Sequence, residues 1–488
     1  MNQAKRKQLS NEWLEEATII QMQEKMAANE ITSEDLVLMY LEAIAEKNSH
    51  VNAILEVNPK ALQIAQSLDD ERLEKGPRSV LHGIPILLKD NIETSDELHT
   101  SAGSLSLAQH YASNDATIAK KLRDAGAVIL GKTNMTEWAN FMSDKMTNGF
   151  SSRGGQVLNP YGPFDVGGSS SGSAAAIASN LAAAAIGTET SGSILNPAAQ
   201  NGLVGLKPTV GSVSRAGIIP LSHTQDTAGP MTRTVEDTLH LFASIVGSDD
   251  RDPITRKSRV FKEITWTDCL NAQALKGKRI GIARAIFEKE MSAERADLFE
   301  RQITVLKELG AEIIDPVDIG CLEDELGYAV LTNEFKADLN GYLAKTNASN
   351  PIRSLSDVIH FNNLHPNETL KFGQILLERS EQTSGTLTEK EYIKALTNNR
   401  YLAGEIGLGK GLDDFRLDAL VFPQDHGCSI GAAAGYPSIT VPAGFTQAGE
   451  PFGLTFSSRA WSEPMLISMA YAFEQKVNAR RKPTFTIQ

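Results

Sequence analysis

The sequence predicts an α/β protein: a single large domain whose central sheet is covered by helices on both faces. Three observations carry this. Short apolar runs at residues 83–91 (GIPILLKDN), 127–131, 278–283 and 419–422 have strand length and too few polar positions for a sheet with one wet face. Helical segments at 116–124 and 293–309 alternate with them. No internal repeat or low-complexity linker divides the 488 residues, a length that can build one deep core.

Taken in order, the first ~70 residues read as helices by apolar spacing. Thr32 with Asp35 forms a capping-box pattern ahead of Leu36, Met39, Tyr40, Ala43 and Ile44, which share one helical face. After the Gly76-Pro77 turn comes the strand that ends in Lys89. A helix over 116–124 leads into the buried strand 127–131. From 149 to about 230 Gly, Ser, Ala and Thr dominate and charges are sparse, a composition that lets backbone segments approach closely around a reacting group. Strand 278–283, helix 293–309 and strand 312–314 follow. Residues 322–412 are polar and mostly helical, and strand 419–422 precedes a Gly/Ala-rich stretch at 427–444.

Charge narrows the function classes. The net charge of −13 supplies no basic field for phosphates, so no nucleic-acid partner is expected. The basic cluster Arg480-Arg481-Lys482 reads as a solvated helix end. Cys269, Cys321 and Cys428 form no CxxC pair, so neither a disulfide framework nor a zinc site is expected. The N-terminus lacks a signal-peptide apolar region, and the run at 174–187 is too short to span a membrane, so a cytoplasmic setting without membrane contact is expected.

Two motifs point to chemistry their surroundings do not support. Gly168-Ser-Ser-Ser-Gly172 matches a GxSxG nucleophile elbow centred on Ser170, but a turn-rich loop precedes it where a strand is required. The needed histidine, His223 or His426, has no supporting motif. Residues 404–410 (GEIGLGK) match most of a phosphate-binding loop, but Gly411 stands where Ser or Thr should hold magnesium. The nine histidines form no HExxH motif or close pair, so no metal site is expected.

A third set of elements agrees with itself. Lys89 ends an apolar strand, GGSSSGSAAA (167–176) follows, then GTETSGSILNPAAQNGLVGLKPTVG (187–211). Together with TSAGS (100–104), DAGAVILGKTNMTEWAN (124–140), SHTQDTAGPM (222–231) and GYPSITVPAGF (435–445), these blocks resemble the amidase signature family. The match is dense over about 81–246, returns in the last ~70 residues and is thin between them. The resemblance implies the amidase signature fold, a central mixed β-sheet covered by helices on both faces. Residues 1–488 would then be one amidase domain, with an N-terminal helical segment over about 1–75 and the polar helical region 322–412 packed on the same body.

The resemblance implies a Ser-cisSer-Lys triad in which Lys89 acts through the bridging Ser169 on the nucleophile Ser193. Backbone N–H groups of Thr190, Ser191, Gly192 and Ser193 would form the oxyanion hole, with Gly168, Ser170 and Thr188 in support and no cofactor. Asp90 reads as a neighbouring structural carboxylate. The residue types suit the chemistry. A serine hydroxyl needs a base during attack. Lysine is that base only when neutral, which burial beside Ile86, Leu87 and Leu88 favours. A hydroxyl between them can accept one proton while donating another.

The wording TSAGS, KTNMTEWANF and GTETSGSI most resembles peptide amidases, which implies a C-terminal peptide amide and water as reactants. Ser191, where those enzymes tend to carry Asp, and Leu195, where the wider family commonly has Arg, depart from the pattern. Within the same chemistry stand the glutaminase subunit of a tRNA-dependent amidotransferase and hydrolases of aryl or nylon-type amides. A catalytically silent binding protein of the same fold is the non-enzyme alternative.

Overall fold

In a computed structural model that describes residues 3–321 and 325–484, eleven strands pair into one mixed sheet. In chain order they are β1 Ile54–Val57, β2 Pro85–Lys89, β3 Val128–Thr133, β4 Ala184–Glu189, β5 Val204–Lys207, β6 Thr227–Thr232, β7 Arg279–Ile282, β8 Glu312–Ile314, β9 Ala419–Pro423, β10 Ser438–Phe445 and β11 Pro451–Ser457. Across the sheet the order is β1-β3-β2-β4-β6-β5-β10-β11-β9-β7-β8. Every residue of β2, β3 and β4 is buried, as expected of strands covered on both faces.

The helices that matter below are α1 Ser33–Val51, α2 Thr117–Asp124, α3 Ser171–Ala178, α4 Leu195–Gln200, α5 Val235–Ile245, α6 Ala293–Glu308, α7 Ala329–Leu343 and α8 Glu463–Val477. The capping box at the start of α1 forms as its spacing predicts. Thr32 Oγ1 accepts the Asp35 N–H at 3.0 Å, and Asp35 accepts the Thr32 N–H at 3.2 Å. Leu36, Met39, Tyr40, Ala43 and Ile44 are all buried on its inner face. α2, α5, α6 and α8 form one contiguous group of helices, while α3 packs against both α1 and α4.

The parallel pairing around β2 decides where chemistry can occur. β2 runs parallel to β3 and to β4, with Lys89 opposite Thr133 and Leu88 opposite Ile186. Parallel neighbours end on the same edge of a sheet, so Lys89 and the Thr188-Glu189 end of β4 emerge together. The polar helical stretch is tied to this body by a second apolar core. In it Phe335, Leu339 and Leu343 of α7 pack with Met135, Trp138, Phe141 and Ile219. Its first residues, 322–324, lie outside the described residues.

Two expectations need correction. The N-terminal segment is not wholly helical: Ile54–Val57 forms an edge strand antiparallel to β3, beginning just after Asn52 ends α1 in a left-handed conformation. The β-branched Ile54 and Val57 at its two ends suit a strand better than the helix that precedes it. The 404–410 glycines, by contrast, lie in helical turns at Tyr401–Leu408 and Gly409–Asp414, in keeping with the lack of support for a phosphate loop there. Arg480 is not a solvated helix end. Its guanidinium forks onto Glu16 at 2.7 and 2.8 Å and caps the Gly202 carbonyl, with 9% of the side chain exposed. The acid that draws it inward comes from the other end of the chain, a contact no local pattern reveals.

Candidate active site

Lys89 enters the interior at the end of β2 with no exposed surface. Its ammonium nitrogen donates to Ser169 Oγ at 2.8 Å and to the Thr188 carbonyl at 3.1 Å. Burial pulls its pKa from 10.5 down to about 7, against the opposing pull of the Glu189 and Asp226 carboxylates. A large fraction of Lys89 is therefore neutral at neutral pH, the form in which a lysine accepts a proton.

Ser169 follows a cis peptide bond from Gly168. A side chain at Gly168 would place its Cβ 2.6 Å from both Asn148 Oδ1 and Thr136 Oγ1, so only glycine lets the loop lie this close. The Ser169 carbonyl accepts the Thr136 N–H at 3.0 Å, and the next residue donates its N–H to the Ser193 carbonyl at 3.1 Å. That last bond ties the Ser169 loop to the segment carrying Ser193. Ser193 is buried to 6% exposure, and its hydroxyl has no hydrogen-bond partner among the described residues.

Ser170 is committed elsewhere. Its hydroxyl donates to the Thr188 carbonyl at 3.1 Å and accepts the Thr188 N–H at 3.3 Å, clamping the start of α3 to β4. No histidine contacts it among the described residues. His223 pairs with Asp338, and His426 lies 3.8 Å from Glu290. Thr188 also accepts the Asn91 amide on its hydroxyl at 3.0 Å, so one residue links Lys89, Ser170 and Asn91.

The profile of the Amidase family matches residues 35–467. The chain belongs to the amidase signature family. It is 44% identical to a peptide amidase from Stenotrophomonas maltophilia, with 96% of this chain and 99% of that one covered and a TM-score of 0.89. An amidase family protein from Bacillus anthracis is 39% identical over 99% of this chain and 95% of its own, with a TM-score of 0.93. A glutamyl-tRNA(Gln) amidotransferase subunit from Halorhodospira halophila is 32% identical over 95% of this chain and 97% of that protein. The mixed sheet and single body of this amidase are those of its family. No helix among the described residues is long and apolar enough to cross a membrane.

The 190–193 loop of this amidase departs from the expected oxyanion hole at one point. Gly192 donates its N–H to Glu189 Oε1 at 2.8 Å, so that group is already engaged. The N–H groups of Thr190, Ser191 and Ser193 have no acceptor among the described residues. Gly192 serves the loop through conformation instead. Its φ is +75°, and a Cβ there would sit 3.1 Å from Cys428 Sγ.

Glu189 is the principal residue that motif reading missed. Fully buried, it also accepts the N–H groups of Ile194 and Leu195 at 2.7 and 3.0 Å, so one carboxylate gathers the loop on both sides of Ser193. Burial raises its pKa, while nearby Lys207 and these three donors lower it. Asp226 is the second. It accepts the Thr190 hydroxyl at 2.5 Å and the N–H groups of Leu221 and Ser222, and burial raises its pKa to about 6. A signal existed: these are isolated acids in a stretch otherwise nearly free of charge.

The remaining residues of interest fall into place around the loop. Asp90 accepts from Ser101 Oγ, the Gly103 N–H and Arg153, fixing the 100–104 segment as a structural carboxylate. Ser191 donates to Ser429 Oγ at 3.1 Å, and Leu195 is completely buried. His223, Glu334 and Asp338 do gather closely, although no sequence spacing announces them. Their atoms are spent on one another and on neighbours: Glu334 accepts from Ser222, Thr224 and Tyr392, and Asp338 from His223. The group reads as an ion-paired clamp between α7 and the 222–226 loop.

Proposed function

We propose that this amidase cleaves a peptide-like C-terminal carboxamide through Ser193, Ser169 and Lys89, releasing ammonia. The observation that carries the reading is the buried Lys89, with a pKa near 7, donating to Ser169 beside a serine whose hydroxyl is unengaged. Neutral Lys89 takes the proton of Ser169 as Ser169 takes that of Ser193, and Ser193 Oγ bonds to the carbonyl carbon. The N–H groups of Thr190, Ser191 and Ser193 face the developing oxyanion. Collapse breaks the C–N bond while the relay runs backward, delivering the proton to the leaving nitrogen. Water then attacks the acyl-enzyme by the same relay and frees the carboxylic acid.

The peptide-like substrate is supported by the 44% identity to a peptide amidase, and a relative of equal identity is described in complex with the competitive inhibitor chymostatin. The 32% identity to an amidotransferase subunit keeps glutamine as the second substrate to test. A fluorophosphonate probe should label the protein, and Ser193→Ala should abolish both labelling and hydrolysis. An unlabelled wild-type protein would overturn the mechanism. In a panel of amidated dipeptides, glutamine, aliphatic amides and aryl amides, the amidated dipeptides should give the highest kcat/KM. The rate should fall on acidification through about pH 7, as Lys89 takes up its proton.

A further inference from the structure

We propose that Gly341, on α7, sets the size of the acyl group this amidase accepts; the inference rests on the serine-amidase reading above. A cavity of about 580 Å³ opens beside the site. Its core wall includes Thr188, whose carbonyl holds Lys89, and Thr190 of the nucleophile loop. Its far wall is α7, which presents Ala337 and Gly341, one turn apart on the same face. Phe335, Leu339 and Leu343 bury the other side of that helix, so its rotation about its axis is fixed.

The chemistry of the walls describes the occupant. Most of the charged groups in the wall are matched, Asp338 with His223, Glu93 with the Tyr342 hydroxyl at 2.7 Å and Arg215 with Asp252, while Lys345 has no carboxylate partner among the described residues. Two buried atoms, Asn91 Oδ1 and Thr227 Oγ1, belong to residues of the cavity wall and have no hydrogen-bond partner among the described residues. Buried polar atoms left unpaired are costly, and a ligand that hydrogen-bonds them relieves that cost. The walls therefore suit an acyl group carrying hydrogen-bonding atoms, as an amino-acid residue does.

Gly341 fixes how large that group can be. A Cβ built there meets nothing within 4 Å, so the fold tolerates a side chain at a position that lines the cavity. Glycine is a poor helix residue, and helix formation alone would favour almost any other. Glycine at this position keeps the space open.

The test compares propionamide with the amide of N-acetylphenylalanine in the wild type, Gly341→Phe and Ala337→Phe. Both variants should lower the ratio of kcat/KM for the bulky over the small amide by at least about tenfold. Gly341→Ala should shift the ratio in the same direction by less. Ser193 labelling by a small and a bulky fluorophosphonate gives a second comparison that does not depend on amide turnover. If both phenylalanine variants leave the bulky-to-small ratio within about twofold in both assays, Gly341 does not gate the acyl group. That result leaves the serine mechanism intact. Wild-type protein that neither probe labels would instead overturn the mechanism, and the gate with it.

Discussion

Replacing Lys89 by methionine should sharply lower catalysis and, at pH 7, stabilise the fold. Lys89 has a pKa of about 7 in the folded chain against 10.5 ordinarily. The unfolded chain thus binds more protons between these values, and stability rises with pH through that window. At about 1.4 kcal/mol per unit, holding Lys89 in place costs roughly 5 kcal/mol at pH 7 and below, and nothing above about pH 10.5. Methionine removes this cost but loses the bonds to Ser169 and Thr188, about 1–2 kcal/mol together. The Thr188 carbonyl keeps Ser170 as a donor. The net gain is about 3 kcal/mol at pH 7.

With an unfolding entropy of about 2.1 cal/mol/K per residue, a chain this long gains roughly 1 °C in Tm per kcal/mol, or about 3 °C. At pH 9 the remaining cost is about 2 kcal/mol, which the lost bonds offset, so the two proteins should melt together. Calorimetry at the two pH values measures this directly. A Tm difference that does not change with pH, or a less stable variant at pH 7, would refute the assignment of Lys89 as a buried, readily neutralised base. Activity should fall by about 10²–10⁴-fold at every pH.

Two further substitutions separate positioning from stability. Glu189→Gln keeps the shape of the loop anchor but weakens its hold on the Gly192, Ile194 and Leu195 N–H groups. The resulting displacement of Ser193 should lower kcat about 100-fold with KM little changed, and a kcat within threefold of wild type would show that the clamp does not place the nucleophile. Arg480→Ala leaves Glu16 without its guanidinium partner in a largely buried setting. It should cost about 2–4 kcal/mol of stability in thermal denaturation while leaving kcat/KM intact, and an unchanged Tm would place this pair among inconsequential surface contacts.

The sequence by itself determined the strands around Lys89, the capped first helix and the family, because these are local: apolar runs, a four-residue cap, and ordered blocks whose spacing survives in one dimension. It could also weigh Ser170 against Ser193, since the elbow lacked its preceding strand. Only the tertiary structure decided which groups were already spent. Gly192 looked like an oxyanion donor until Glu189 was seen accepting its N–H. Arg480 looked solvated until the fold brought Glu16 to it from the far end of the chain. The α7 wall of the cavity lies in the stretch where motif similarity is thinnest, and it shares a cavity with Thr190 only because a second apolar core docks that helix on the first. Hydrogen-bond partners and cavity walls are relations between segments distant in sequence. Residue spacing records only what neighbours along the chain do to one another.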